Sequence, residues 1–142
     1  MGVPLYFKTI LEQYNNVLLS QNNNIIKNNL FFDLNCLIHP CCREETNEDM
    51  MFIKIKNYID KIIELVNPKL TYIAIDGVCP RAKMQQQRKR RYKSSTENKI
   101  WDTNTISPGT EFMNKLNIFL RKTYLSDNKD IIISDSDERG EG

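Results

Sequence analysis

Long apolar runs are missing from this 142-residue chain. None approaches the ~20 residues that a membrane-spanning helix needs, so no span is expected. The N-terminus has no basic leader followed by an apolar core, so no secretory signal is expected either. Met1-Gly2 is followed by Tyr6 where a myristoylation signal wants Ser or Thr. Net charge is almost absent: 20 basic and 18 acidic residues leave +2. The overall balance therefore names no partner, and only the local distribution can. Cysteine pairs at metal-binding spacing are also lacking. Cys36, Cys41 and Cys42 cluster around His39, with Cys79 apart. The step from Cys36 to Cys41 is too wide for a CxxC-like pair, and a second pair is absent. Reduced thiols in an intracellular protein are the expectation.

What is there is unevenly spread. The length suits one ordinary domain. Between Arg81 and Lys93 stand seven basic residues (Arg81, Lys83, Arg88, Lys89, Arg90, Arg91, Lys93) and no acid, while the stretch from Asp127 onward is mostly acidic. Asn and Lys are abundant, which fits an AT-rich coding sequence from a virus or microbe.

Periodicity sets out the elements. Residues 4–14 read as a short helix, with Pro4 in its first turn and Phe7, Ile10, Leu11 and Tyr14 near one face. The Asn-rich residues 15–29 read as a loop or partly ordered hairpin. Leu30 to Asn35 reads as a buried strand ending at Asp33, and Leu37 to Pro40 as a loop. Phe52, Ile55, Ile59, Ile62, Ile63 and Val66 give a helix over 48–66, stopped by Asn67-Pro68. Leu70 to Ile75 is a second strand and 81–93 a helix. Residues 94–105, with Trp101, read as a loop in which Trp101 is expected to pack on the core. Ser107-Pro108 is expected to open another helix, Ser as N-cap. Ile131 to Ser134 is a third strand. Apolar strands alternating with amphipathic helices predict an α/β fold, a parallel sheet with flanking helices. Its ligand site would lie beyond the carboxyl ends of the strands.

All three strand ends carry acids: Asp33, Asp76, and Asp135 followed by Glu141. A single acid there commonly only caps the next turn. Three would converge and repel, and a divalent cation would relieve that. Oxygen donors without Cys or paired His favour Mg²⁺ or Mn²⁺, and two such ions can drive phosphodiester hydrolysis. On a helix, Lys83, Gln87, Arg90 and Arg91 share one face, a set suited to a terminal phosphate or simply a solvated charged face. The position directly after Asp76 favours phosphate. His39, just past the first strand end, could stack on a base or donate to phosphate.

Several stretches, in order along nearly the whole chain, resemble the Xrn-type 5′→3′ exoribonucleases. They are Met1-Gly2-Val3-Pro4, Phe32-Asp33-Leu34-Asn35 with Ile38-His39-Pro40, and Ala74-Ile75-Asp76-Gly77 through Met84. They continue with Gln86 through Arg91, Ser107-Pro108-Gly109-Thr110-Glu111-Phe112-Met113, Ser134-Asp135-Ser136 and Gly140-Glu141-Gly142. The resemblance implies a PIN-like nuclease core related to flap endonucleases. It implies that Asp33, Asp76 and Glu141 are catalytic and hold metal, two Mg²⁺ (or Mn²⁺) ions in the complete enzyme. It implies that Lys83, Gln87, Arg90 and Arg91 grip the 5′-monophosphate of RNA and that His39 packs on the terminal base. The implied reaction is stepwise hydrolysis to nucleoside monophosphates. Separately, an intracellular protein is expected, cytoplasmic ahead of nuclear. Cys79 stands where the family usually has a small apolar residue, a change expected to be tolerated. Arg139 stands where proline is frequent. The sequence stops inside the Gly-Glu-Gly-Glu motif, so the core is expected to be incomplete at its C-terminus and inactive alone. Alternatives are a non-catalytic remnant that binds RNA 5′ ends and a flap-type DNA nuclease.

Overall fold

The computed structural model describes residues 5–14, 28–95, 100–125 and 130–140, the last three side chains of 28–95 excepted. The expected loop or hairpin over 15–29 therefore lies almost wholly outside the described residues. So do Met1 to Pro4 and Glu141.

Three parallel strands, β1 (Asn29–Asp33), β2 (Leu70–Ala74) and β3 (Ile131–Ser134), lie in the order β1-β2-β3. In register, Leu30 opposes Thr71 and Thr71 opposes Ile131; two residues on, Phe32 opposes Ile73 and Ile73 opposes Ile133. These alternate positions face the core, because strand side chains alternate between the two faces. The sheet is the expected parallel α/β arrangement, consistent with a PIN-like core.

Two long helices supply most of the core. α3 (Glu48–Val66) begins as expected; Asn47 caps it by accepting the amides of Asp49 and Met50. It ends at Asn67, whose φ of 46° breaks the helix before Pro68. Its buried face is Met51, Phe52, Ile55 and Ile59. α5 (Glu111–Tyr124) buries Phe112, Met113, Leu116, Leu120 and Tyr124 against it. Phe52 sits 5.4 Å from Phe112 and 5.5 Å from Phe119, ring centre to ring centre. Trp101 joins at 4.9 Å from Phe112, the packing role expected of it. Each fully buried large side chain contributes about 1.5–3 kcal/mol of transfer free energy.

Two local readings need correction. Residues 35–42 form a helix, α2 (Asn35–Cys42), not a loop. Leu34, Ile38 and Cys42, spaced i, i+4, i+8, are fully buried, and that burial outweighs the hydrogen bond that Pro40 forfeits in the last turn. Secondly, α5 starts three residues later than Ser107-Pro108 suggested. Gly109 has φ +83°, outside helical space, and Thr110 is the cap, accepting the Met113 amide at 3.3 Å. The first helix, α1 (Tyr6–Gln13), forms where it was expected, with none of its residues buried.

The far face of the sheet carries Phe31, Tyr72 and Ile132 side by side, because each opposes the next in register. Phe31 is 71% and Ile132 44% exposed. Among the described residues no helix covers this stripe.

Candidate nucleic-acid interface at the strand ends

The acids come first. Asp33 closes β1 and is exposed; Leu34 then turns the chain into α2, its amide bonded to the Ala74 carbonyl at 2.8 Å. Asp76 stands two residues past the end of β2 and is half-buried. Asn35 ties the two turns together, its Oδ1 accepting the Asp76 amide at 3.2 Å. Cys36 donates its thiol to Asp33 Oδ2 at 3.5 Å. Burial pushes that thiol's pKa up, and the charge of Asp33, its hydrogen bond and the charge of Asp76 push it further. Both carboxylates thus lie within electrostatic reach of one group.

Asp135 does not join them. It is 1% exposed, and Arg121 of α5 grips it, Nε donating to Oδ2 at 2.6 Å. A second contact joins the terminal guanidinium nitrogen to the same oxygen. Its other oxygen accepts the Asp137 amide at 3.1 Å. Asp135, expected to converge with the other two strand-end acids, is instead paired with Arg121, whose own side chain is exposed. Among the described residues no cluster of three His, Cys, Asp or Glu side chains is gathered to hold a metal ion. Asp33 and Asp76 offer the hard oxygen donors that suit Mg²⁺ or Mn²⁺, and Glu141 lies outside the described residues.

Where the chain leads after Asp135 is visible as far as Gly140. The Glu138 amide bonds back to the Asp135 carbonyl, and Asn117 donates to Ser136 Oγ at 2.9 Å. The strand then re-forms beside Asp76: the Gly77 amide donates to the Gly140 carbonyl at 2.9 Å, and Val78 bridges Arg139 in parallel. Only glycine allows this approach. A Cβ at Gly77 would collide with the Glu138 carbonyl oxygen and lie 2.9 Å from its carbon. Gly140 is thereby held next to the residue after Asp76.

The basic helix, α4 (Arg81–Ser95), starts as Lys83 and Met84 bond back to the Pro80 carbonyl. Asp76, Lys83, Gln86, Gln87 and Arg90 line a cavity of about 270 Å³. An adjoining cavity of about 340 Å³ shares Asp76, Gln87 and Arg90 and adds Asn35, His39 and Arg91. The fold therefore brings all five sequence-derived binding residues, His39, Lys83, Gln87, Arg90 and Arg91, onto cavities that touch Asp76. His39 reaches the site from α2, one helical turn beyond Asn35. A larger cavity of about 450 Å³ between α2 and α3 is more distant, and its Lys54 is paired with Glu45 at 2.8 Å. It brings no strand-end acid into play.

Sequence reasoning missed Asn35 as the tie between the two acid turns, and it missed Gly77 as a close-approach glycine rather than a simple break. The signal for Asn35 was present, since Asn directly after a strand-end turn is a common backbone binder.

Residues 1–142 match the family described as XRN 5'-3' exonuclease N-terminus. The whole chain aligns at 34% identity over 205 positions with 5'-3' exoribonuclease 2 of Gallus gallus, covering 22% of that protein. It aligns at 34% over 206 positions with 5'-3' exoribonuclease 2 homolog of Caenorhabditis elegans, covering 21%. It aligns at 36% over 177 positions with 5'-3' exoribonuclease 1 of Saccharomyces cerevisiae, covering 12%. The chain thus spans about a fifth or less of these relatives, and the 142 residues align only across gaps. With the match running from the first residue to the last, this chain belongs to the XRN 5'-3' exonuclease N-terminus family.

Proposed function

We propose that this chain is the end-gripping part of a 5′→3′ exoribonuclease acting on 5′-monophosphorylated RNA. The observation that carries the reading is the cavity in which Asp76 sits among Lys83, Gln87 and Arg90. A carboxylate alone would repel an RNA end, and a basic helix alone would bind any phosphate. Side by side, they accept one terminal phosphate and leave the next phosphodiester near the acids. Lys83 supplies a point charge; Arg90 and Arg91 supply planar, bidentate donors; Gln87 supplies amide N–H groups. A phosphate enclosed by these groups leaves no room for a cap. His39, on the adjoining cavity, packs on the terminal base.

Asp33 and Asp76 would hold Mg²⁺ or Mn²⁺, with Glu141 as a further donor. A bound divalent pair would supply an activated water and stabilise the leaving oxygen. The chain's own residues do the rest. Asn35 fixes the Asp76 backbone, and the Gly77–Gly140 bond brings the third donor's neighbour alongside.

A second reading is a non-catalytic binder of RNA 5′ ends, for which Lys83, Gln87 and Arg90 on the same cavity would suffice. One assay separates the two: the purified chain with Mg²⁺ and RNA carrying a 5′-monophosphate, 5′-triphosphate or 5′-hydroxyl. Release of mononucleotides from the monophosphate alone is expected of the enzyme, in this chain or in one that continues past Gly142. Selective binding without release supports the binder, and indifference to the 5′ group sinks both.

A further inference from the structure

We propose that a cleft beside the phosphate cavity is a second nucleotide site: it takes up a free mononucleotide, and its occupant loosens the grip on an RNA 5′ phosphate. This rests on the end-gripping reading above. The cleft has a volume of about 240 Å³, and Val78, Met84, Arg88, Arg91 and Pro108 are among the residues that line it.

Its charge suits a phosphate. Arg88 and Arg91 stand three residues apart on α4 and so share a face. No carboxylate lines the cleft, and Arg88 has no ion pair among the described residues. Lys54, Lys115 and Arg121, by contrast, are each held by an acid. Two guanidinium groups at one opening offer planar, charge-assisted donors to an anion. The rest of the lining suits a base. Val78 is 52% exposed, and Met84 and Pro108 are half-buried beside it. A flat nucleobase would cover this apolar surface, which inorganic phosphate would leave bare.

Asp76, Lys83 and Arg90 do not border the cleft, so a phosphate there lies outside the cavity assigned to the RNA end. Arg91 links the two places, since it also lines the cavity that holds Asp76 and His39. An anion in the cleft draws that guanidinium to itself and adds a negative charge beside the terminal phosphate. The grip on the RNA end then weakens. A mononucleotide is what stepwise hydrolysis releases, so accumulating product would slow its own formation.

The test uses the full chain, wild-type and Arg88→Gln, titrated with adenosine 5′-monophosphate (AMP) or with inorganic phosphate. The Val78 and Met84 methyl groups are followed by NMR, and AMP is then used to displace 5′-monophosphorylated RNA. In the wild type, AMP is expected to shift both methyl signals at concentrations where inorganic phosphate leaves them in place. Arg88 is exposed, so the Gln variant should fold normally. It should need about tenfold more AMP or beyond for the same shifts, the worth of one hydrogen bond to a charged group. The AMP concentration that displaces half of the RNA should rise severalfold with it. Methyl signals that AMP leaves unmoved, or that phosphate moves equally, overturn the nucleotide site. Equal displacement of RNA from both forms confines AMP to the RNA-end cavity and overturns the coupling. If the wild-type chain does not prefer 5′-monophosphorylated to 5′-hydroxyl RNA, the end-gripping reading fails, and the methyl shifts still decide whether the cleft takes a nucleotide.

Discussion

Gly77 has no side chain, and the space where one would stand is filled by the backbone of Glu138. Gly77→Ala should therefore force β2 and the turn after β3 apart beside Asp76. We expect a loss above about 2 kcal/mol, seen as a lower urea midpoint, together with faster hydrogen exchange at the Gly77 amide. Unchanged exchange would mean that the Gly77–Gly140 bond does not govern this corner. At this scale the sequence was most legible where chemistry speaks through residue type. Asp33 and Asp76 are recognisable as strand-end acids because apolar runs lead into them. Asp135 also ends a strand but is taken up by an ion pair. What separates it is Arg121, 14 residues upstream and brought in only by the packing of α5, a long-range contact that no local pattern carries.

At the scale of elements, α4 and α5 divide the labour. α4 presents charge to the cavity, and α5 clamps the turn that leads to Gly140. Lys83→Ala with Arg90→Ala should weaken binding of 5′-monophosphorylated RNA by ~100-fold or more, at about 1.5–3 kcal/mol per charged hydrogen bond. Binding of 5′-hydroxyl RNA should change far less. Equal losses for both ends would return the helix to a solvated charged face. Arg121→Met keeps the alkyl stem and strands a buried carboxylate. It should cost about 3 kcal/mol or more in chemical denaturation, while Arg121→Lys recovers part of that. A stability change under about 0.5 kcal/mol would remove the clamp from the account. Long amphipathic helices were legible nearly to the residue, as α3 shows, because six apolar positions repeat at one period. The eight-residue α2 was not. Its proline speaks locally for a loop, and the i, i+4, i+8 burial that overrides it appears only once a sheet lies underneath.

For the molecule as a whole, pH should act through groups that the core keeps protonated. Burial first, and the neighbouring Cys41 second, push the fully buried Cys42 thiol from 9.0 up to about 12. Burial and the hydrogen bond to Asp60 raise the Tyr124 hydroxyl above its usual 10.0. In both cases the unfolded chain gives up its proton at lower pH than the folded one. The unfolded state therefore binds fewer protons, and stability must fall as pH rises. The loss begins near pH 9 and deepens toward pH 12, and Tyr124→Phe should make the upper part of that decline shallower. A flat urea midpoint from pH 8 to 11 would contradict this. The parallel α/β plan was legible from apolar runs alternating with helices, whereas strand order was not, since it depends on which crossovers pack. The stripe of Phe31, Tyr72 and Ile132 has its own consequence. A row of one aliphatic and two aromatic side chains on a sheet face that no described helix covers is adhesive in water. The isolated chain should self-associate as its concentration rises and should brighten a hydrophobic dye even while fully folded. Phe31→Ser with Ile132→Lys should leave a chain whose sedimentation no longer depends on concentration. Self-association that survives both changes would place the contact elsewhere.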